Sequence, residues 1–272
     1  MTSRLPAATS APFEPDRFRS TVPYYVAHRL RYPRRLLALA LQQSKLAANA
    51  RVLDLGCGPG FLAIGFAGLG CYVLGIDPST DMLAAARTQA AEAGVVAEFR
   101  KGSSYDLDTL EDRFDLVVMG RSFHWMDRAQ TLISLDRLVA PGGSVALFYD
   151  RHVRCAENAF EGILEKARET FGERNTIHAA RKAKKLVPDE SIFMDSSFSQ
   201  MIRLGVIERR AVDTDAIVGR AFSLSVTSHE KLGERAPAFE AELRQRLGEL
   251  QPDGRFTELV EFDGLIATRK SQ

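Results

Sequence analysis

Val52-Leu53-Asp54-Leu55-Gly56-Cys57-Gly58-Pro59-Gly60 passes from an apolar run into a glycine-rich one. Its first four residues read as a short buried strand that stops in the glycines, and Phe61 to Leu69 reads as a buried helix closed by Gly70. A strand running through such a turn into a helix aims backbone N–H groups at a ligand. Gly56 and Gly58 permit the tight geometry and let a ligand approach the main chain where a Cβ would collide. Turns without a ligand also use glycine. Two acids sharpen the reading: Asp54 near the end of the first strand, and Asp77 at the end of the next, Tyr72 to Ile76. A carboxylate at the second position accepts hydrogen bonds from ribose hydroxyls. The competing reading is that Asp77-Pro78-Ser79 only starts a helix.

Outward from this core, Ser79 suits the N-cap of a helix running to Ala93, with Asp81 in its first turn and Gly94 after its end. Val95 to Phe99, Phe114 to Met119 and Ser144 to Tyr149 read as three further strands. A helix over Arg128 to Val139 and the turn Pro141-Gly142-Gly143 separate the last two. Strands alternating with helices predict a parallel sheet covered on both faces. Upstream, a helix begins at Tyr32-Pro33 and carries Leu36, Leu37, Leu39, Ala40 and Leu41. After Asp150 the alternation fails. Cys155 to Phe171 is an amphipathic helix, Ala179 to Lys185 is basic, and Ser191 to Gln200 is polar. Ile202 to Arg210 and Phe256 to Thr268 predict two more strands, with helices near Thr214 to Phe222 and Pro237 to Leu250.

The expected architecture is therefore α/β, a doubly wound, seven-stranded, mostly parallel sheet. It forms one domain over 1–272: an N-terminal extension and helix (1–50), a half carrying the glycine turn (51–150), an inserted helical cap (151–199), and the last two strands and helices (200–272). Phe160, Phe171, Ile192, Phe193, Met194 and Phe198 of the cap are expected to shape an apolar pocket and exclude water.

The spacing Gly-x-Gly-x-Gly, with Pro59 inside it, departs from the dinucleotide fingerprint Gly-x-Gly-x-x-Gly. A carboxylate at Asp54 would repel a pyrophosphate and suit an ammonium group. A nucleoside with a cationic amino-acid tail fits the glycines and both acids.

These residues resemble the signature loop of class I S-adenosylmethionine-dependent methyltransferases, in particular the small-molecule group called type 11. Gly75-Ile76-Asp77-Pro78-Ser79-Thr80-Asp81-Met82-Leu83 is similar to the second motif of that family, Phe114-Asp115-Leu116-Val117 to its fourth strand, and Leu138-Val139-Ala140-Pro141-Gly142-Gly143 to the turn before its fifth. The matches cover roughly residues 50 to 150. The resemblance implies a Rossmann-like class I methyltransferase fold and S-adenosylmethionine as cofactor. It implies that Gly56, Cys57, Gly58 and Gly60 line the methionine moiety and that Asp54 serves its amino group. Asp77 would hold the ribose, and Pro78 and Met82 would pack near the adenine. Where the family often has Gly-Asp-Ala after the third strand, this chain has Gly102-Ser103-Ser104-Tyr105, so Ser103 and Ser104 stand in for the adenine-binding acid. Gly120, closing the fourth strand, completes the cofactor set. Tyr25-x-x-x-Arg29-x-x-Tyr32-Pro33 is similar to a pattern that closes over the cofactor in some type 11 enzymes, and equally to a plain helix start.

Ligands of open α/β sheets bind beyond the carboxyl ends of the strands. The fourth strand runs into Gly120-Arg121-Ser122-Phe123-His124-Trp125, where His124 is a candidate general base for an acceptor hydroxyl. Alternatively His124 bonds a backbone carbonyl while Trp125 packs beneath the next helix. His152, after the fifth strand, is a weaker candidate for the same site. No Asn-Pro-Pro-Tyr or Asp-Pro-Pro-Tyr follows the fourth strand, and no Pro-Cys nucleophile, which argues against methylation of base amino groups or cytosine carbon.

The chain of 272 residues carries 36 Lys plus Arg against 35 Asp plus Glu, a net charge of +1 that argues against wholesale nucleic-acid binding. Arg181-Lys182-Ala183-Lys184-Lys185 reads as a solvated helix face or one contacting an acidic substrate, ahead of a grip on RNA. No apolar run reaches the ~20 residues that span a bilayer, and Met1 to Thr21 reads as a floppy leader without a secretory signal. Three cysteines and five scattered histidines form no disulfide framework and no metal site. The expectation is a cytoplasmic enzyme that moves a methyl group to a small-molecule acceptor through O, N or C. Two alternatives stay open: an RNA or protein methyltransferase, or a cofactor-binding protein or cyclase that transfers no methyl. Oligomeric state is not legible.

Overall fold

A computed structural model describes residues 14, 18–172 and 187–270. The elements are α1 (Val22–His28), α2 (Arg34–Gln43), β1 (Arg51–Leu55), α3 (Phe61–Ala67), β2 (Tyr72–Asp77), α4 (Thr80–Glu92), β3 (Glu98–Lys101), β4 (Phe114–Gly120), α5 (Arg128–Leu138) and β5 (Val139–His152). They continue as α6 (Phe160–Phe171), α7 (Asp189–Met194), β6 (Gln200–Asp213), α8 (Thr214–Phe222), α9 (His229–Leu232), α10 (Ala236–Leu250) and β7 (Arg255–Thr268). The strands form one sheet in the order β3-β2-β1-β4-β5-β7-β6, with β7 antiparallel to both of its neighbours. β1 lies between β2 and β4, so the winding direction reverses there. A crevice opens at such a switch point, beyond the carboxyl ends of the strands.

Successive strand residues face opposite sides. Val52, Val73, Leu116 and Val118 pack with Leu36 and Leu37 of α2 and Phe66 of α3. Leu53, Leu55, Val117 and Met119 pack on the other face with Leu132 and Leu135 of α5 and with Ile192 and Phe193 of α7. This double burial is why β1 and β4 read as continuous apolar runs rather than alternating ones. Several helix starts obey local capping chemistry. Ser79 Oγ accepts from Met82 N at 3.3 Å, Asp127 Oδ1 from Gln130 N at 3.0 Å, and Asp213 Oδ1 from Ala216 N at 2.7 Å.

Four expectations shift. β3 starts at Glu98 rather than Val95, and Val96 is 91% exposed. It is an edge strand bonded only to β2, and its exposed Glu98, Arg100 and Lys101 are what such an edge tolerates. β5 begins at Val139 and runs through Pro141-Gly142-Gly143, where its register against β4 slips. α1 stands where no helix was expected, and Arg19–Thr21 forms a 3₁₀ turn in the supposed leader. α1 reaches α8 because a Cβ on Gly219 would collide with the His28 ring.

The fourth shift concerns residues 151–199, which do not behave as one cap. Arg151 and His152 extend β5 against β7. Phe160, Leu164 and Ala167 of α6 are buried with α8 and α10, whereas Ile192, Phe193 and Phe198 are buried under the opposite face of the sheet. Phe160, Phe193 and Phe198 are fully buried, each worth about 1.5–3 kcal/mol of transfer. They build cores instead of a pocket wall. Met194 is 59% exposed. The basic run 181–185 lies outside the described residues. Among those described, no helix is long and apolar enough to cross a membrane, and no group of three His, Cys, Asp or Glu is placed to hold a metal ion.

Candidate active site

A pocket opens at the switch point, lined from β1 by Gly56 and Gly58, from β2 and α4 by Asp77, Pro78, Ser79 and Met82, and from the loop after β3 by Ser103 and Ser104. Gly120, Arg121, Ser122, Trp125 and Met126 close it after β4, and Phe18 and Tyr25 close it from the N-terminal segment. Of the predicted cofactor residues, Tyr25, Gly56, Gly58, Asp77, Pro78, Met82, Ser103, Ser104 and Gly120 line this pocket. Arg29, Asp54, Cys57, Gly60 and His124 do not.

The amides of the glycine turn are bonded within the protein, mostly to the end of β2. Gly56 N and Cys57 N both donate to Ile76 O, at 2.8 and 3.0 Å, and Gly60 N donates to Cys57 O at 3.0 Å. Gly58 N donates to Asp77 Oδ2 at 2.8 Å. The expectation of amides held open for a ligand is therefore corrected at these four positions. What the turn provides is room. Gly56 has φ +71°, and a Cβ there would stand 2.6 Å from Ser122 Cβ, whereas a Cβ on Gly58 (φ +53°) would meet nothing within 4 Å. Gly60 (φ +83°) is the N-cap of α3. Cys57 is buried, and burial raises its thiol pKa well above the usual value.

Asp54 is 1% exposed. Its Oδ2 accepts from Ala63 N at 2.9 Å, capping the first turn of α3 from a neighbouring strand. Its Oδ1 is buried without a hydrogen-bond partner. Burial raises its pKa to about 8, against the opposing pull of the Ala63 N–H. Asp77 uses both oxygens, one on Gly58 N and the other on Ser79 N at 2.9 Å, and burial raises its pKa despite those two bonds. The helix-start reading of Asp77 is thus correct, and its carboxylate faces the pocket as well. An acceptor oxygen has two lone pairs, so each keeps capacity for a further donor. Ser103 is less free. Its hydroxyl donates to Asp106 Oδ2 at 2.7 Å and accepts from Tyr105 N at 3.2 Å, which ties the loop to itself.

His124 lies on the short 3₁₀ turn Phe123–Trp125, half-buried, its ring 4.7 Å from that of Trp125. Its neighbours in sequence reach the pocket and its own side chain does not. His152 faces a second cavity with Asp150 and Arg29.

Arg121 was not singled out from sequence, although it directly follows the end of β4 and Asp150 lies near the end of the neighbouring β5. Arg121 has φ +57°, pairs with Asp150 through Nε, donates to Leu30 O at 2.7 Å, and stacks 4.5 Å above the Tyr32 ring. Burial alone would push Asp150 up, but Arg121 and then Arg29 hold it below the usual carboxylate range. Ser122 Oγ donates to Leu55 O at 2.8 Å, which joins the ends of β4 and β1 beneath the pocket floor.

Comparison with known proteins places this geometry. Residues 52–143 match the family model described as a methyltransferase domain. The ubiquinone biosynthesis O-methyltransferase of Nitrobacter winogradskyi is 37% identical over 100 residues, which is 36% of this chain and 38% of that protein. The match thus spans well under half the length of this curated relative. Among solved structures, a SAM-dependent methyltransferase from Geobacter sulfurreducens in complex with S-adenosyl-L-homocysteine superposes with TM-score 0.53 at 20% identity, covering 93% of this chain and 98% of that one. The [4+2]-cyclase SpnF superposes with TM-score 0.55 at 15% identity, covering 94% and 95%. The two structures share the fold, and the family model matches the segment that carries the glycine turn, Asp54 and Asp77. Residues 52–143 thus carry the match to a methyltransferase domain, and the chain as a whole shares the fold of these structures.

Proposed function

We propose that this chain transfers a methyl group from S-adenosylmethionine to an oxygen of a small-molecule acceptor. The observation that carries the reading is the pairing of two buried carboxylates with one glycine turn. Asp54 keeps an unpartnered oxygen beneath the turn, and Asp77 presents its carboxylate at the pocket wall. A buried acceptor without a donor is costly unless a ligand supplies one. An amino-acid ammonium would supply the donor that Asp54 Oδ1 lacks, and a ribose diol could use the lone pairs that Asp77 keeps beyond its two backbone bonds, so the residues fit the cofactor. Its sulfonium provides, when bound, an electrophilic methyl group. Gly56 and Gly58 would let its tail lie against the main chain, with Cys57 and Gly60 holding the turn's shape. Pro78 and Met82 would flank the adenine. Ser103 and Ser104 would border it, with Ser104 the freer of the two.

The work left to the protein is alignment and exclusion of water. Phe18, Tyr25, Trp125 and Met126 line the pocket and would shield the transfer from water. If a hydroxyl is the acceptor, its proton must leave, and His124 is the base we assign on the turn between Ser122 and Trp125. The oxygen assignment rests on the likeness to ubiquinone biosynthesis O-methyltransferases. We retain a single domain with residues 51–150 as its cofactor-binding half, in the reducing cytoplasm that suits its free Cys57 and Cys71.

Calorimetry with S-adenosylhomocysteine tests the first half of the reading, with tight binding expected and NAD inert. Labelled methyl transfer into pools of hydroxylated small molecules tests the second. Transfer only into total RNA or protein would overturn the acceptor class. Cofactor binding without release of S-adenosylhomocysteine from any pool would favour a non-transferring protein.

A further inference from the structure

Beyond the Arg121–Asp150 pair lies a second cavity of about 90 Å³, between the end of β5, α6 and α8. Arg29, Asp150, His152, Glu161, Arg168 and Arg220 line it, and none of them lines the first pocket. The two spaces are one layer of side chains apart. Arg121 faces one and its partner Asp150 the other, and Tyr25 faces one while the Arg29 guanidinium sits 5.2 Å from the Tyr25 ring centre on the other side.

The charges here do not balance. Arg121 is paired with Asp150. Arg220 Nη1 donates to Glu258 Oε2 at 2.6 Å, and Glu258 also bonds His152 Nε2 at 2.9 Å. Burial would raise Glu258, yet His152 and Arg220 hold it at about 2, so it is fully ionised. Glu161 lies 3.1 Å from His152 Nδ1 and only 4.0 Å from Arg168 Nη2. Arg29 has no carboxylate within ion-pairing distance among the described residues. The Nε atoms of Arg29 and Arg168 are both buried without a hydrogen-bond partner. Three guanidinium groups (Arg29, Arg168, Arg220) thus line the cavity against two carboxylates (Asp150, Glu161), before any charge on His152 is counted; behind them Arg121 pairs with Asp150, and Glu258 is shared by Arg220 and Arg210. An uncompensated buried cation is costly. The space would hold several waters or one small anionic group.

We propose that this cavity is an anion subsite for the methyl acceptor, and that the acceptor is a small organic acid whose carboxylate lies against Arg29 and Arg168. This assignment rests on the methyltransferase reading above and names its substrate class. Gly56 and Gly58, proposed to carry the cofactor's tail, line the first pocket and not this cavity, so we assign its missing anion to the other substrate. A carboxylate takes paired N–H donors from guanidinium groups in a geometry that a neutral amide cannot match.

The test is thermal unfolding of the full chain with benzoate and its neutral isostere benzamide, at ionic strength held constant with NaCl, with and without saturating S-adenosylhomocysteine. Benzoate should raise Tm saturably by about 2–4 °C at tenfold excess over its Kd, and benzamide should not. The benzoate shift should persist when S-adenosylhomocysteine is saturating. Arg168→Met should weaken benzoate about tenfold or more and leave the Kd of S-adenosylhomocysteine unchanged. Arg168→Lys should restore part of the loss. Equal shifts from both probes, or none, would overturn the proposal. Competition between benzoate and S-adenosylhomocysteine would also overturn it, by giving the cavity to the cofactor's carboxylate. Failure of S-adenosylhomocysteine to bind at all would instead strike the methyltransferase reading. If Arg168→Met unfolds, Arg29→Met read against benzoate alone answers the same question.

Discussion

Asp77 accepts from the amide of Gly58 at 2.8 Å at the pocket wall, so the residue proposed to hold a ribose also fixes the turn proposed to carry the methionine tail. Its second oxygen starts α4 through Ser79 N at 2.9 Å. Asp77→Ala should therefore cost stability and cofactor affinity together. Leaving two backbone N–H groups without an acceptor should lower stability by about 1–3 kcal/mol, and loss of the ribose acceptor should weaken S-adenosylhomocysteine by a similar amount. Denaturant unfolding and calorimetry on the same variant separate the two. A stable variant with unchanged affinity would reduce Asp77 to neither role.

What was legible in the chain is what local chemistry writes. The cap at Ser79, the glycine turn, and the buried apolar runs at β1, β2 and β4 each announce themselves within a few residues. The destination of residues 151–199 was not legible. The apolar stripe of α6 states that it is buried but not against what, and its Phe160 goes to α8 and α10 while Phe193 goes under the sheet. The Arg121–Asp150 pair was missed for a related reason. Its partners are 29 positions apart, and only their shared place at the carboxyl ends of neighbouring strands could have suggested it. Asp54 shows the reverse: the acid was singled out from sequence, but its bond to Ala63 N appears only once α3 is folded back over β1.

Asp54 should make both stability and binding depend on pH. Its folded pKa, about 8, lies above its ordinary 3.8, so between those values the folded chain holds a proton that the unfolded chain has lost. The contribution is fully present below about pH 4 and is lost as pH rises towards 8, with a slope of at most ~1.4 kcal/mol per unit. Binding runs the other way, because an ammonium group needs the carboxylate. The affinity for S-adenosylhomocysteine should rise from pH 6 to pH 8, by up to about tenfold per unit, with proton release seen by calorimetry in buffers of different ionisation enthalpy. Asp54→Asn keeps an acceptor for Ala63 N and should flatten both profiles. A steep profile in that variant would move the titration elsewhere.

The two glycines of the turn should fail differently. Gly56→Ala meets Ser122 Cβ at 2.6 Å in a left-handed conformation, and Ser122 is itself tied to Leu55 O. Stability should fall by about 1–3 kcal/mol. Gly58→Ala adds its methyl to open pocket space at φ +53°, so it should cost only about 1 kcal/mol of fold while obstructing the ligand. The ratio of Kd change to stability change should be larger for Gly58→Ala. Equal ratios would mean that the turn acts only as structure.

Trp125 lines the pocket and is the sole tryptophan, so its emission should report ligand binding directly, and that signal allows a clean test of His124 beside it. The His124 ring lies against Trp125 but faces away from the pocket lining. To take a proton from an acceptor hydroxyl it must turn towards the pocket once both substrates are bound. His124→Gln retains hydrogen bonding but cannot accept the proton near neutral pH. If His124 is the base, turnover should fall by about 10²–10⁴-fold. The Trp125-monitored affinity for S-adenosylhomocysteine should stay within about twofold of the unmodified chain, a difference of ~0.4 kcal/mol. The acidic limb of the pH–rate profile should disappear as well. Full turnover with an intact acidic limb would return His124 to a packing role against Trp125. Loss of cofactor affinity together with stability would do the same, because a base that touches only the acceptor has no reason to disturb either.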